Sequence, residues 1–177
     1  NHSGVAVIGS GYWGKNLVRN FHELGSLKTI CDGSQSIRKQ MQKGYPELKI
    51  ESKFDVVLND PEISAVVIAT PAALHYELAR QALLAGKDVF VEKPLSLTYY
   101  EGERLVQLVA DNQKILFVGH ILQYHAAVIK LKEMINEGRI GRLQYIYSRR
   151  LSLGKIRREE NILWSFAPHD ISIILSL

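Results

Sequence analysis

The chain has 177 residues, 46% hydrophobic and 23% charged, with a net charge of +4 and a single cysteine, Cys31. That length allows one domain or slightly more around a proper core, and a lone cysteine excludes an internal disulfide, which fits a reducing cytoplasm. No apolar run approaches the roughly 20 residues that span a bilayer, and the chain enters a strand almost at once with no basic leader, so neither secretion nor a membrane location is expected.

Residues 4–9 (GVAVIG) read as a short buried strand, and 11–24 have helical spacing through Leu17, Val18, Phe21 and Leu24, with Gly25 as a stop. Residues 27–32 (LKTICD) form a second strand, and Ser34 is expected to cap a helix reaching about Gln42. Residues 49–51 suit a short third strand. Residues 64–70 (SAVVIAT) are a clearer one, ended by Pro71. A helix over 74–85 closes at Gly86, and a strand over 89–92, a helix over 98–112 and a strand over 115–119 follow. Strands written as unbroken Val/Ile runs and separated by helices predict a parallel sheet covered on both faces. Residues 1–119 therefore read as a doubly wound α/β domain.

From residue 120 the pattern changes. Residues 126–137 predict an amphipathic helix with Val128, Leu131, Met134 and Ile135 inward, ended by Gly138. Residues 143–150 alternate like a half-exposed antiparallel strand. Pro168 is a favoured first helical residue, so a last helix is expected to start there. Residues 120–177 read as the truncated opening of a second α/β domain. Arg139, Arg142, Arg149, Arg150, Lys155, Arg157 and Arg158 lie in one stretch without an acid. It is either an anion-binding surface or a solvated strand face. No recognition-helix pattern points to nucleic acid, and no metal site is expected.

Gly9-Ser10-Gly11-Tyr12-Trp13-Gly14 matches G-x-G-x-x-G. A strand precedes it, a helix follows it, and Asp32 ends the next strand, which together make a dinucleotide fingerprint. Gly9 allows the tight turn, Gly11 lets backbone approach a pyrophosphate, and Gly14 lets helix pack on strand. Asp32 suits the adenosine ribose hydroxyls and disfavours a 2′-phosphate, so NAD is expected over NADP, with Arg38 as the one nearby group that could accommodate the phosphate. Asp32 as a cap for the following helix is compatible with both.

Ligands of parallel sheets bind outside the carboxyl ends of the strands. Thr70-Pro71 and Glu92-Lys93-Pro94 lie at such ends. Lys93 is either a solvated lysine or a donor that stabilises developing negative charge on a substrate oxygen during hydride transfer. His75 either lines the cofactor cleft or caps its helix. His169, expected in a first helical turn, is either a neutral proton acceptor or a histidine packed at a domain seam.

The stretches VAVIGSGYWG, IATPAALHYELARQALLAGKDVFVEKPL and VGHILQYH resemble the glucose-fructose oxidoreductase / inositol dehydrogenase / MocA family. LGKIRREENILWSFAPHDIS resembles its UDP-N-acetyl-glucosaminuronate 3-dehydrogenases of bacterial surface-polysaccharide synthesis. The resemblance implies a tightly held NAD, oxidation of a sugar-ring C3 hydroxyl, Lys93 as catalytic and His169 as the acid/base. It implies a nucleotide-sugar substrate, for which Tyr124, Arg149, Arg150, Lys155, Arg157 and Arg158 are candidate contacts, and Tyr12, Trp13, Thr70, Pro71, His75 and Glu92 as cofactor neighbours. It also implies a wide antiparallel sheet, absent here, that serves homo-oligomer contacts. Many relatives carry aspartate four residues before the histidine, where this chain has Ser165, leaving Asp170 to orient the ring. Another sugar or inositol oxidoreductase, or a dinucleotide-binding regulatory protein without catalysis, is the alternative reading.

Overall fold

A computed structural model of the chain describes residues 4–151 and 162–177. The described chain divides into two compact units, residues 1–118 and 119–177.

The first unit is a six-stranded parallel sheet of β1 (Gly4–Ile8), β2 (Leu27–Cys31), β3 (Lys49–Glu51), β4 (Ile63–Ile68), β5 (Asp88–Val91) and β6 (Leu116–Val118), in the order β3-β2-β1-β4-β5-β6. The chain winds outward from β1 in one direction and from β4 in the other, so the order reverses between these two strands. That is where a doubly wound sheet opens a crevice at its carboxyl edge. The expected fold class is therefore the observed one.

Strand periodicity explains why both faces are covered. Successive side chains of β1 point to opposite faces. Val5 and Val7 join Leu17 and Val18 of α1 (Gly14–Glu23) and Met41 of α2 (Gln35–Gly44). Ala6 and Ile8 join Val57 of α3 (Phe54–Leu58), Ala79, Ala82 and Leu83 of α4 (His75–Leu84) and Leu105 of α5 (Tyr99–Asn112). Each fully buried Val, Leu or Ile contributes about 1.5–3 kcal/mol from burial alone, so the two apolar layers hold β1 and β4 far more firmly than the edges.

The helix α3 was not expected from the sequence, since five residues carry little periodicity. Ser34 sits before α2 but makes no side-chain cap bond; its N–H instead donates to Asp32 Oδ1 at 2.8 Å. By contrast, α5 starts with a full capping box. Thr98 Oγ1 accepts from the Glu101 N–H at 3.3 Å, and the Glu101 carboxylate accepts from the Thr98 N–H at 3.2 Å. This box ends the loop that begins at Glu92. Thr98→Ala is expected to cost about 1 kcal/mol, read as a lower urea midpoint at unchanged slope.

In the second unit a 3-10 turn (Ile121–Tyr124) leads to α6 (Ala126–Asn136), whose N-terminus is capped by His125 Nδ1 accepting from the Ala127 N–H. The last helix, α7 (Ile162–Ile174), packs against that 3-10 turn.

Two expectations are corrected here. Residues 143–150 pair with no strand among the described residues; alternation marks a strand, but an unpaired backbone ladder has no sheet to join. Pro168 lies inside α7 rather than at its start, because Ile162, Leu163 and Trp164 already continue the apolar helical run. His169 is thus beyond the first turn, and the positive helix end does not account for its charge state.

Candidate active site

The glycine loop is built by steric necessity. Gly9 has φ +86, where an L side chain is strained, and a Cβ there would lie 2.9 Å from the Ala69 carbonyl oxygen and 3.0 Å from Thr70 Cγ2. A Cβ on Gly14 would overlap the Gly9 carbonyl oxygen. Gly11 is different: nothing lies within 4 Å of where its Cβ would be. The first and third glycines let β1, α1 and the end of β4 close on one another, and the second faces open space.

Asp32 fastens this loop to β2. Its Oδ2 accepts from the Ser10 N–H at 2.7 Å while Oδ1 accepts from Ser34. Two acceptor bonds leave lone pairs free on both carboxylate oxygens, so Asp32 can brace the loop and still receive ribose hydroxyls. The Arg38 guanidinium is committed to backbone, with Nη1 donating to the carbonyls of Asp32 and Gly33 at 2.7 and 2.8 Å.

Two buried hydroxyl oxygens in this region, Ser10 Oγ and Thr70 Oγ1, have no hydrogen-bond partner among the described residues. Buried polar atoms are nearly always satisfied. An orphaned pair following β1 and β4, at the switch in strand order, beside the uncrowded Gly11, fits a polar ligand rich in phosphate and hydroxyl groups. The residues present therefore suit a dinucleotide. Tyr12 projects 85% exposed from the loop, with the Lys15 ammonium 5.5 Å from its ring centroid.

A contact across 79 residues of sequence joins this loop to the end of β5: Trp13 Nε1 donates to Glu92 Oε1 at 2.7 Å. Glu92 is only 8% exposed. Burial pushes its carboxyl above the usual range, against the opposing pull of the Trp13 bond, the Lys93 N–H and the charges of Lys93 and His75. The half-buried Lys93 is the next residue, and the peptide bond from Lys93 to Pro94 is cis. Sequence reasoning named Trp13 and Glu92 separately but had no signal that they meet.

His75 does not line the cleft and makes no cap bond. It is 1% exposed, with Nδ1 2.7 Å from the Pro94 carbonyl oxygen and Nε2 2.8 Å from that of Thr70. It lies beneath the loops that Thr70-Pro71 and Glu92-Lys93-Pro94 form, and bridges them.

In the second unit His169 meets His120, with ring centroids 6.4 Å apart and planes at 79°. His120 was missed as a functional candidate, although the VGH motif just after a strand end was a usable sign. Arg150 grips Asp170 through both ends of its fork, Nε to Oδ2 at 2.9 Å and Nη2 to Oδ1 at 2.8 Å. That bidentate bond holds the Asp170 carboxyl below its usual range. Asp170 is thus engaged by Arg150, and this edge of the Arg150 fork is spent on it. Arg149 and Tyr124 are exposed. Lys155, Arg157 and Arg158 lie outside the described residues.

Residues 3–120 match the profile of an oxidoreductase family with an NAD-binding Rossmann fold, GFO/IDH/MocA. The chain belongs to this family. A 2,7-anhydro-N-acetylneuraminate hydratase of Mediterraneibacter gnavus is 29% identical over 83% of the chain and 39% of its own length. The NAD(+) scyllo-inositol 2-dehydrogenase of Bacillus subtilis is 33% identical over 79% of the chain and 42% of its own length. Among solved structures, GenD2 from gentamicin A biosynthesis, in complex with NAD, superposes with a TM-score of 0.74 at 25% identity, covering 78% of this chain and 40% of that one. The chain spans about two fifths of the length of these GFO/IDH/MocA proteins. NAD is the cofactor that the family's fold is built to bind, and among the described residues no helix is long and apolar enough to cross a membrane.

Proposed function

We propose that the full-length protein oxidises a ring hydroxyl, C3, of a UDP-linked N-acetyl uronic acid with NAD, in surface-polysaccharide synthesis. The observation that carries the reading is Lys93 at the end of β5, one residue from a buried carboxylate tied to the dinucleotide loop. NAD supplies the ring that accepts hydride. Lys93 donates to the sugar oxygen and stabilises the negative charge that grows there. His169 takes the hydroxyl proton as general base, with His120 beside it. Ser10, Gly11 and Asp32 hold the dinucleotide, with Tyr12, Trp13, Thr70 and Pro71 around it.

The acidic nucleotide sugar is supported by the run of seven basic residues without an acid between Arg139 and Arg158, since arginine binds phosphate or carboxylate bidentately. An N-acetylated sugar acid also occurs in the name of one relative, the 2,7-anhydro-N-acetylneuraminate hydratase above. Contacts from Tyr124, Arg149, Arg150, Lys155, Arg157 and Arg158, and a homo-oligomeric assembly in the cytoplasm, belong to the same proposal.

A second reading, oxidation of an inositol, is favoured by the relationship to an NAD(+) scyllo-inositol 2-dehydrogenase. Incubating the full-length protein and NAD with UDP-N-acetylglucosaminuronate, with UDP-N-acetylglucosamine and with inositols separates them. Reduced nicotinamide is expected only with the uronate. Reduction by inositol alone would replace the first reading with the second, and reduction by none of them favours a binding protein without catalysis.

A further inference from the structure

Glu92 is 8% exposed where the chain leaves β5, and the proposed reaction gives its carboxyl group no step. A carboxyl buried there costs free energy unless its oxygens are hydrogen-bonded, a cost that an apolar side chain of similar size would not carry. Two N–H donors meet it. The Trp13 indole donates to Oε1 at 2.7 Å from the dinucleotide loop, and the backbone N–H of Lys93 bonds the same carboxyl group. One side chain thus joins Trp13, the residue directly before α1, to the backbone of Lys93 itself.

Both ends of this link are fixed. On the loop side, Gly14 packs so closely on Gly9 that a Cβ would overlap the Gly9 carbonyl oxygen, which leaves the neighbouring Trp13 little freedom. An indole has one N–H donor and no acceptor, so the bond to Glu92 also fixes how the ring lies. On the strand side, the Glu92 N–H donates to the Ile68 carbonyl of β4 at 2.9 Å and keeps Glu92 in line with the sheet. Beyond Lys93 the chain is next tied at the Pro94 carbonyl, 2.7 Å from His75 Nδ1, and at Ser96, whose hydroxyl donates to the Thr98 carbonyl at 2.8 Å. Of these contacts, the one through Glu92 is the one that reaches the Gly9–Gly14 loop.

We propose that Trp13 and Glu92 form a strut that positions Lys93 from the dinucleotide loop, both acting through the lysine rather than on the sugar. The loop that carries the cofactor then also sets where the ammonium stands. Donor and hydride acceptor move together instead of as independent parts.

The inference rests on the dehydrogenase reading for its kinetic consequence and on the geometry alone for the link. In full-length protein, Trp13→Phe keeps an aromatic ring and removes the N–H. Glu92→Leu keeps the volume and removes the acceptor, whereas Glu92→Gln keeps an acceptor oxygen. Trp13→Phe and Glu92→Leu are each expected to lower kcat with UDP-N-acetylglucosaminuronate (or with inositol, should the wild type oxidise only that) about 10²-fold, the cost of a misplaced catalytic group. NAD affinity and KM should stay within about threefold. The double variant is expected within about twofold of the slower single one, because both changes cut one link. Glu92→Gln should turn over at least about tenfold faster than Glu92→Leu, since its amide oxygen still accepts from the indole. Unchanged kcat in Trp13→Phe, losses that multiply in the double variant, or no gain from glutamine over leucine overturns the strut. Loss of the fold in Trp13→Phe overturns it too, because the indole would then be structural; should Glu92→Leu not fold, Trp13→Phe decides alone.

A second readout needs no turnover. In 15N-labelled protein the Lys93 backbone N–H is expected to exchange with deuterium at least about tenfold faster in Trp13→Phe than in the wild type. An unaltered rate overturns the strut. If the wild type oxidises no sugar, the dehydrogenase reading falls and this exchange rate still judges the link.

Discussion

Lys93→Ala in the full-length protein is expected to lower turnover by about 10³-fold, the effect of removing one donor from a developing oxyanion, while NAD affinity stays within about twofold. The two quantities separate because they belong to different parts of the site. In the proposed function dinucleotide binding draws on the Gly9–Gly14 loop and Asp32, whose mutual contacts do not involve the lysine side chain. In the proposed function the ammonium acts only where charge appears as the sugar oxygen loses its proton. Arginine is not expected to rescue, since its planar fork cannot replace a compact ammonium. Single-turnover kinetics with calorimetry of NAD binding reads both. Equal loss of turnover and affinity would make Lys93 a structural residue and end the catalytic assignment.

The second large effect contrasts two glycines three residues apart. In Gly14→Ala the new methyl would overlap the Gly9 carbonyl oxygen and sit 3.3 Å from Ala69 Cβ. Backbone cannot yield as a flexible side chain does, so a stability loss of about 1–3 kcal/mol is expected, as for an overpacked core, together with loss of measurable NAD binding. In Gly11→Ala the methyl meets nothing within 4 Å, and stability should stay within about 0.5 kcal/mol. Its NAD affinity should still fall at least tenfold, because the methyl fills the space through which backbone approaches a pyrophosphate. Urea unfolding beside NAD titration distinguishes them. If Gly11→Ala binds NAD as the wild type does, the pyrophosphate is not held at this loop.

The parts of this molecule that follow from local pattern were legible in the sequence. Val/Ile runs alternating with helical spacing predicted the parallel sheet, and G-x-G-x-x-G followed by Asp32 predicted the NAD-binding fold that the family match shows. What escaped was set by long-range or competing interactions. Nothing local links Trp13 to Glu92, 79 residues on. Nothing local says that the imidazole of His75 turns inward to two carbonyls instead of outward to a cleft. Pro168 carried a strong preference for a helix start, but the apolar run before it overrode that preference and placed His169 deeper in the helix. Residues 143–150 alternate as a strand does, yet alternation specifies a face and not a partner.

The sheet is thinnest at its two margins, since β3 and β6 have three residues each whereas β1 has five and β4 six. Short margins offer few open N–H and C=O groups to a passing chain, and at β3 the ionic side chains of Lys49 and Glu51 flank the only apolar one. The longest apolar strand runs, which would recruit others into fibrils if laid bare, are thereby kept at the centre, shielded on each side by a strand too brief to template growth.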